Sequence, residues 1–195
     1  AGGLVGVSFV TLTIAAAIAG MSNEVVLLLV LTGAVTGFLM FNARLFGRPR
    51  ALVFMGDSGS LLLGFLLAWA VISVTQGAGQ TLSPAAALWF FAIPLWDTVS
   101  LMLRRMLKGR SPCHPGRDHL HHILLRVGYT DGQVVRFIHL VAVLCGLIGF
   151  FGWQGGVPDA VMFYSFLAIF ALYCVGVQHA WKLMRLIVPL REPQE

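Results

Sequence analysis

Six apolar runs dominate this chain, at about residues 4–21, 25–41, 60–75, 85–103, 134–153 and 158–180, and few charges interrupt them. A transmembrane helix takes roughly 17–25 predominantly apolar residues, and the third run is the shortest. Helices that are apolar all round belong in a large core or in a bilayer. A chain of 195 residues, 58% hydrophobic and 11% charged, has too little polar surface to wrap such helices in water. The mean hydropathy of +0.86 agrees. The expected fold class is all-α: a polytopic membrane helix bundle with about six transmembrane helices, one membrane-embedded region over 1–195.

Charge placement orients that bundle. All thirteen lysines and arginines fall within residues 44–50, 104–136 and 182–191, and the other connectors hold none. With six spans the three basic stretches share one side, and the positive-inside rule makes that side cytoplasmic, together with both chain ends. Arginines scattered over membrane-proximal loops make no nucleic-acid footprint, so no nucleic-acid partner is expected. Three cysteines give no disulfide framework. Cys145 and Cys174 lie within spans as small apolar side chains, and Cys113 lies in a loop. Residue 1 opens an apolar segment with no basic leader, so no signal peptide is expected. The start at Ala1 suggests a piece of a longer protein.

Chemistry concentrates in two cytoplasmic loops. The first, from about Asn42 to Gly59, ends in Phe54-Met-Gly-Asp-Ser-Gly-Ser60. Asp57 could act there as a plain helix N-cap, as could Ser58 or Ser60. It could equally hold Mg²⁺, which takes one or two carboxylates plus substrate phosphates and several waters. Free amides at a helix start attract phosphate, and glycines let a ligand approach the backbone.

The second loop, Arg104 to Gln133, carries four of the six histidines. Ser111-Pro-Cys-His-Pro-Gly116 reads as an extended turn. Arg117 to Val127 reads as a short helix, with Gly128 as its stop. On a helix His119 and His122 share a face while His121 projects away. The preferred role is a phosphate-binding, proton-handling cluster, since histidine suits both at neutral pH. A solvated cationic loop, or a zinc site with Cys113 and His114, is the alternative. Thr130-Asp-Gly-Gln133 resembles a capping box opening the fifth span, which makes Asp131 a helix-start residue.

Asp97, in Pro94-Leu-Trp-Asp97, sits inside the fourth run, where an ionisable residue is costly and is usually paired or functional. It either pairs with a basic group or borders the site, and Pro94 kinks the helix. His139 and His179 read as interfacial or packing residues. Trp69, Trp89, Trp153 and Trp181 lie mostly toward span ends, as in an aromatic belt.

These motifs, in this order, resemble the polyprenyl-phosphate N-acetylhexosamine-1-phosphate transferases, bacterial membrane enzymes related to phospho-N-acetylmuramoyl-pentapeptide transferase. The resemblance covers nearly the whole chain, and His119-Leu-His-His122 is similar to the N-acetylglucosamine branch. It implies transfer of a sugar-1-phosphate, N-acetylglucosamine-1-phosphate first, from a UDP-sugar to undecaprenyl phosphate with release of UMP. That is the first membrane step of a cell-envelope polysaccharide such as O-antigen. It implies Mg²⁺ at Asp57, with Mn²⁺ as an alternative, a uracil-stacking Phe54, and His119, His121 and His122 on the phosphates and nucleotide. Asn42, Arg117 and Asp97 join as substrate-binding residues, although Asn42 lies farther from Phe54 than in the family. The implied setting is the bacterial inner membrane, with the lipid bilayer as partner and a homodimer left open.

The family's aspartate pair and Asn-rich segment ending in Asp-Gly have no counterpart in the chain. The expectation is therefore a C-terminal half, inactive alone. The muramoyl-pentapeptide reaction is the runner-up, and a non-catalytic metal transporter or scaffold is the reading from a different class.

Overall fold

The computed structural model describes residues 2–42, 51–76, 82–109, 111–112 and 119–187, with side chains as far as His179. Eight helices carry them: α1 (Gly2–Ile18), α2 (Ser22–Asn42), α3 (Gly56–Thr75), α4 (Pro84–Phe90), α5 (Ala92–Leu107), α6 (Leu120–Arg126), α7 (Asp131–Gln154) and α8 (Asp159–Ile187). No strand occurs among the described residues. Helices α2, α3, α7 and α8 are each long and apolar enough to cross a membrane, so the protein is an all-α, multi-pass membrane protein. Helix α1 is apolar but has 17 residues.

The fourth apolar run is not one straight helix. It breaks at Phe91 into α4 and α5, which meet at 86°, and the pair makes a fifth crossing only as a broken span. Pro94 explains the break. It offers no N–H to the Phe90 carbonyl four residues back, and its ring collides with that carbonyl. Phe91 leaves the helical region, at φ −131° and ψ 27°. The ladder resumes one residue past the proline, where the Leu95 N–H donates to the Phe91 carbonyl at 3.2 Å. Six clean spans thus become four, a bent pair and a shorter apolar helix.

Several short signals act as expected. The Thr130 hydroxyl accepts from the Gln133 N–H while the Gln133 side chain accepts from the Thr130 N–H, a capping box that places Asp131 first in α7. Gly128 closes α6 at φ +103°, a conformation that favours glycine. The N–H of Tyr129 reaches back to Leu124 and that of Gly128 to Leu125, which completes a Schellman turn.

Helix α1 packs on α2, α3, α4 and α7. Its Phe9 and Leu12 meet Leu28 of α2, Ala70 and Val74 of α3 and Phe90 of α4. A second core joins Trp89 and Trp96 to Ile138 of α7 and Met162 and Phe166 of α8. Lipid tails are as apolar as these side chains, so close packing rather than water exclusion holds such helices together, and small residues favour it. Gly149 shows this: a Cβ there would lie 2.7 Å from Trp89 Cβ and 2.8 Å from the Ala86 carbonyl. Trp89 departs from the belt expectation. It is 1% exposed, its indole N–H donates to the Met162 carbonyl, and its ring packs edge-on against Trp96 and Phe166. The break at Phe91 folds α4 inward and carries Trp89 with it. Trp69 stays exposed, and the Trp181 side chain lies outside the described residues.

Candidate functional site

Both polar loops open at the same end of the bundle. The start of α1 links them: a Cβ on Gly2 would come within 2.9 Å of Met55 Cε and 3.3 Å of Phe38, and one on Gly3 would fall on the His139 ring. Met55 immediately precedes α3, Phe38 is near the end of α2, and His139 is two turns into α7. The end of α2 and the starts of α1, α3 and α7 therefore lie together, and α6 packs on α7 and α8 beside them.

At the first loop, the Asn42 side-chain amide donates to the Val53 carbonyl at 2.8 Å, and the Leu52 N–H donates to the Phe41 carbonyl. These two bonds fasten residues 51–55 to the end of α2, so Asn42 and Phe54 are brought close despite their separation in sequence. Phe54 is 90% exposed, an aromatic face held out from the turn. Gly56 adopts φ +68°, which swings the chain into α3. Gly59 makes room for Met55, whose Cγ would stand 2.7 Å from a Cβ there.

The capping role suggested for this motif is not what the chain does. Met55 is the N-cap residue of α3 and offers no side-chain acceptor, and Ser60 donates to the Gly56 and Asp57 carbonyls. Asp57 is the second residue of α3 and is exposed. No hydrogen bond to its carboxylate occurs among the described residues. The turn thus presents a hard anionic oxygen pair beside uncapped helix amides. That donor chemistry fits one ligand position of Mg²⁺, with phosphate oxygens and water to complete it. No group of three His, Cys, Asp or Glu able to hold a metal occurs among the described residues.

The second loop is built differently. Asp97 Oδ2 accepts from His119 Nδ1–H at 2.9 Å. Asp97 Oδ1 accepts from the Leu120 backbone N–H at 2.9 Å and from the Tyr173 hydroxyl at 3.1 Å. An ionised carboxylate only accepts, so all three partners donate. The carboxylate of α5 therefore caps α6 from outside and ties both to α8. Leu120, Ile123, Tyr173 and Val177 pack beneath the junction. The Arg105 guanidinium donates to the Pro112 carbonyl at 2.8 Å and fastens the chain as it leaves α5.

The short helix begins three residues later than the expected Arg117. His119 is its N-cap residue, extended at ψ 155°. This overturns one expectation: His121 does not project away from His119. The extended residue turns the ring back, so His119 and His121 stack with centroids 5.9 Å apart, and His121 meets His122 at 4.0 Å. Partial burial of the ring, then the neighbouring His122 and His119, holds His121 below the ordinary histidine range.

Arg117, with Cys113, His114 and Asp118, lies outside the described residues, so the zinc alternative has no geometry here. His139 and His179 each donate Nδ1–H to a carbonyl one turn back, Val135 and Val175. The sequence reading missed Tyr173. Its one signal was a phenol within an apolar helix, which has to find a hydrogen-bond partner when buried. The partner, 76 residues earlier, could not be read from the chain.

Residues 1–75 match glycosyl transferase family 4. The undecaprenyl-phosphate alpha-N-acetylglucosaminyl 1-phosphate transferase of Escherichia coli O157:H7 is 40% identical over 187 residues, 95% of this chain and 51% of the relative. Its namesake in Salmonella typhi is 38% identical over the same shares. That of Haemophilus influenzae is 41% identical over 148 residues, 76% of this chain and 42% of the relative. The chain spans about half the length of the curated relatives it matches. No solved structure matches it. Residues 1–75 are thus similar to glycosyl transferase family 4, and nearly the whole chain is similar to about half of the undecaprenyl-phosphate alpha-N-acetylglucosaminyl 1-phosphate transferases.

Proposed function

We propose that these residues form part of an enzyme that transfers N-acetylglucosamine-1-phosphate from its UDP conjugate to undecaprenyl phosphate at the cytoplasmic face of a bacterial inner membrane, releasing UMP. The observation that supports it most is the gathering of two chemically distinct loops at one end of an apolar bundle. One offers an exposed carboxylate and a bare helix start; the other offers a fixed row of imidazoles. A lipid phosphate and a soluble nucleotide can meet only at such an end.

Phosphoryl transfer depends on positioning and charge neutralisation more than on covalent chemistry. Asp57 would hold Mg²⁺, or Mn²⁺, which when bound neutralises phosphate charge. The first amides of α3 meet phosphate oxygens, Phe54 stacks on uracil, and Asn42 holds the Phe54 segment in place. The histidine row, with Arg117, binds the phosphates of the nucleotide sugar. The relatives' names favour N-acetylglucosamine over the muramoyl-pentapeptide substrate. A transporter would need ionisable groups lining a path through the spans, whereas Asp97 is engaged by three donors within the protein.

The test is UMP release from a panel of UDP-sugars by the full-length gene product in vesicles with undecaprenyl phosphate and Mg²⁺. Release from UDP-N-acetylglucosamine that collapses in Asp57→Asn supports the reading. Release from another sugar changes the substrate, and none from a folded protein rejects it. The relatives are about twice as long, and we expect these 195 residues alone to show no turnover; measurable release by them would sink that expectation.

A further inference from the structure

The carboxylate of Asp97 is engaged on both oxygens. Its two oxygens take three donors from two places in the chain: the His119 ring and the adjacent Leu120 amide at the start of α6, and the Tyr173 phenol of α8. A group so engaged has little capacity left for a substrate, yet its hold on His119 is specific. Nδ1 carries the proton into the junction, so Nε2 is the nitrogen left for a ligand. Which ring nitrogen carries the proton is set by the hydrogen bond the other makes.

We infer that Asp97 and Tyr173 are positioning residues: the α8 phenol fixes the α5 carboxylate, and the carboxylate fixes His119 as its Nδ1–H tautomer, with Nε2 presented to the phosphates of the substrate. The inference rests on the proposed transfer for the identity of that substrate but not for the tautomer.

Three features argue for a dedicated device rather than a chance surface pair. The Tyr173 ring is seated against Trp96, with centroids 6.0 Å apart, and against the apolar face of α6. The Asp97 side chain is 18% exposed and that of His119 is 38% exposed, so the bond is sheltered while the ring keeps an open edge. The same carboxylate also takes the first amide of α6, so the orientation of the ring and the position of the helix carrying His121 and His122 are set by one group. Sequence alone offers no hint of the link between α8 and the histidine row.

Two variants separate positioning from folding. Asp97→Asn keeps a carbonyl oxygen for Leu120 and Tyr173 but turns an NH₂ toward His119, which then has to accept at Nδ1 and carry its proton on Nε2. Tyr173→Phe keeps the ring packing and removes only the hydroxyl. The readout is ¹⁵N NMR of histidine-labelled protein, about two pH units above the ordinary histidine pKa, with UMP release in parallel. The expected result is Nδ1–H at His119 in the wild type, Nε2–H in Asp97→Asn, and a mixture in Tyr173→Phe. The turnover number should fall about 10²-fold or more in Asp97→Asn, several-fold in Tyr173→Phe, with a smaller change in KM for both.

A wild-type His119 that carries its proton on Nε2, or a tautomer unchanged in Asp97→Asn, overturns the inference. So does a flipped tautomer with undiminished turnover. If no wild-type UMP release is found, the proposed transfer fails, and the tautomer pattern still decides whether Asp97 sets the ring.

Discussion

Two carboxylates dominate the polar end of this bundle, and the chain treats them in opposite ways. Asp97 is drawn inward and met by three donors, two at the start of α6 and one on α8, so its position is determined by the fold. Asp57 stands exposed on the first turn of α3, beside an aromatic ring that is 90% exposed, with the Asn42 and Leu52 bonds tethering the turn behind it. A carboxylate satisfied internally contributes to the architecture and acts through what it holds. A carboxylate left facing outward contributes nothing to the fold and is available to a cation and its phosphates. The difference separates a structural junction from an open turn before any ligand is considered.

Exchanging the charge at each site should expose that division. Asp57→Asn should lower UMP release by about 10³-fold, the scale on which single charge-stabilising groups act in phosphoryl transfer. Its resistance to unfolding in detergent titration should move by no more than about 0.5 kcal/mol, as for an exposed surface residue. Asp97→Ala should do both kinds of harm. Losing an acceptor shared by three donors should cost about 2 kcal/mol in the same titration, and the histidine row should lose its order. Equal stability losses at the two positions would erase the comparison.

Phe54→Ala sharpens the other half of the contrast. A side chain that buries nothing should leave stability alone, and loss of a base-stacking face should raise KM for the UDP-sugar by about tenfold. A change in unfolding larger than the change in KM would show that the ring supports the turn rather than the nucleotide.

The sequence reading reached the helices and the loops for a physical reason: hydropathy is a property of each run by itself, and so are a capping box at Thr130 and a glycine stop at Gly128. It reached Asp57, Asn42, Phe54 and the histidines as residue types in order. It did not reach the arrangement of the histidines, because a helix was assumed to begin at Arg117 when His119 is still extended. A three-residue difference in the helix start redirects the first ring. Nor did it reach the break at Phe91, which needs the geometry of the Pro94 ring against a carbonyl, or the bond between Asp97 and Tyr173, which exists only once α5 and α8 are packed. Local chemistry was legible, and pairing across the bundle was not.

The histidine row offers the gentlest test. His121 is held below its ordinary pKa of 6.5 by partial burial and then by His122 and His119. Below 6.5 the unfolded chain therefore binds a proton at this position more readily than the folded one. Stability from this group is complete above 6.5 and declines as pH falls through that value toward the lower folded pKa, because acid favours the state that binds more protons. The ring is exposed enough for solvent to screen much of the effect, so the expected loss is small, and a His121→Gln variant should flatten it. Unfolding titrations at a series of pH values on both proteins check this. A wild-type stability that rises on acidification through the same window would mean that His121 gains a favourable charge partner in the fold, and that the row accepts a proton where the present geometry resists one.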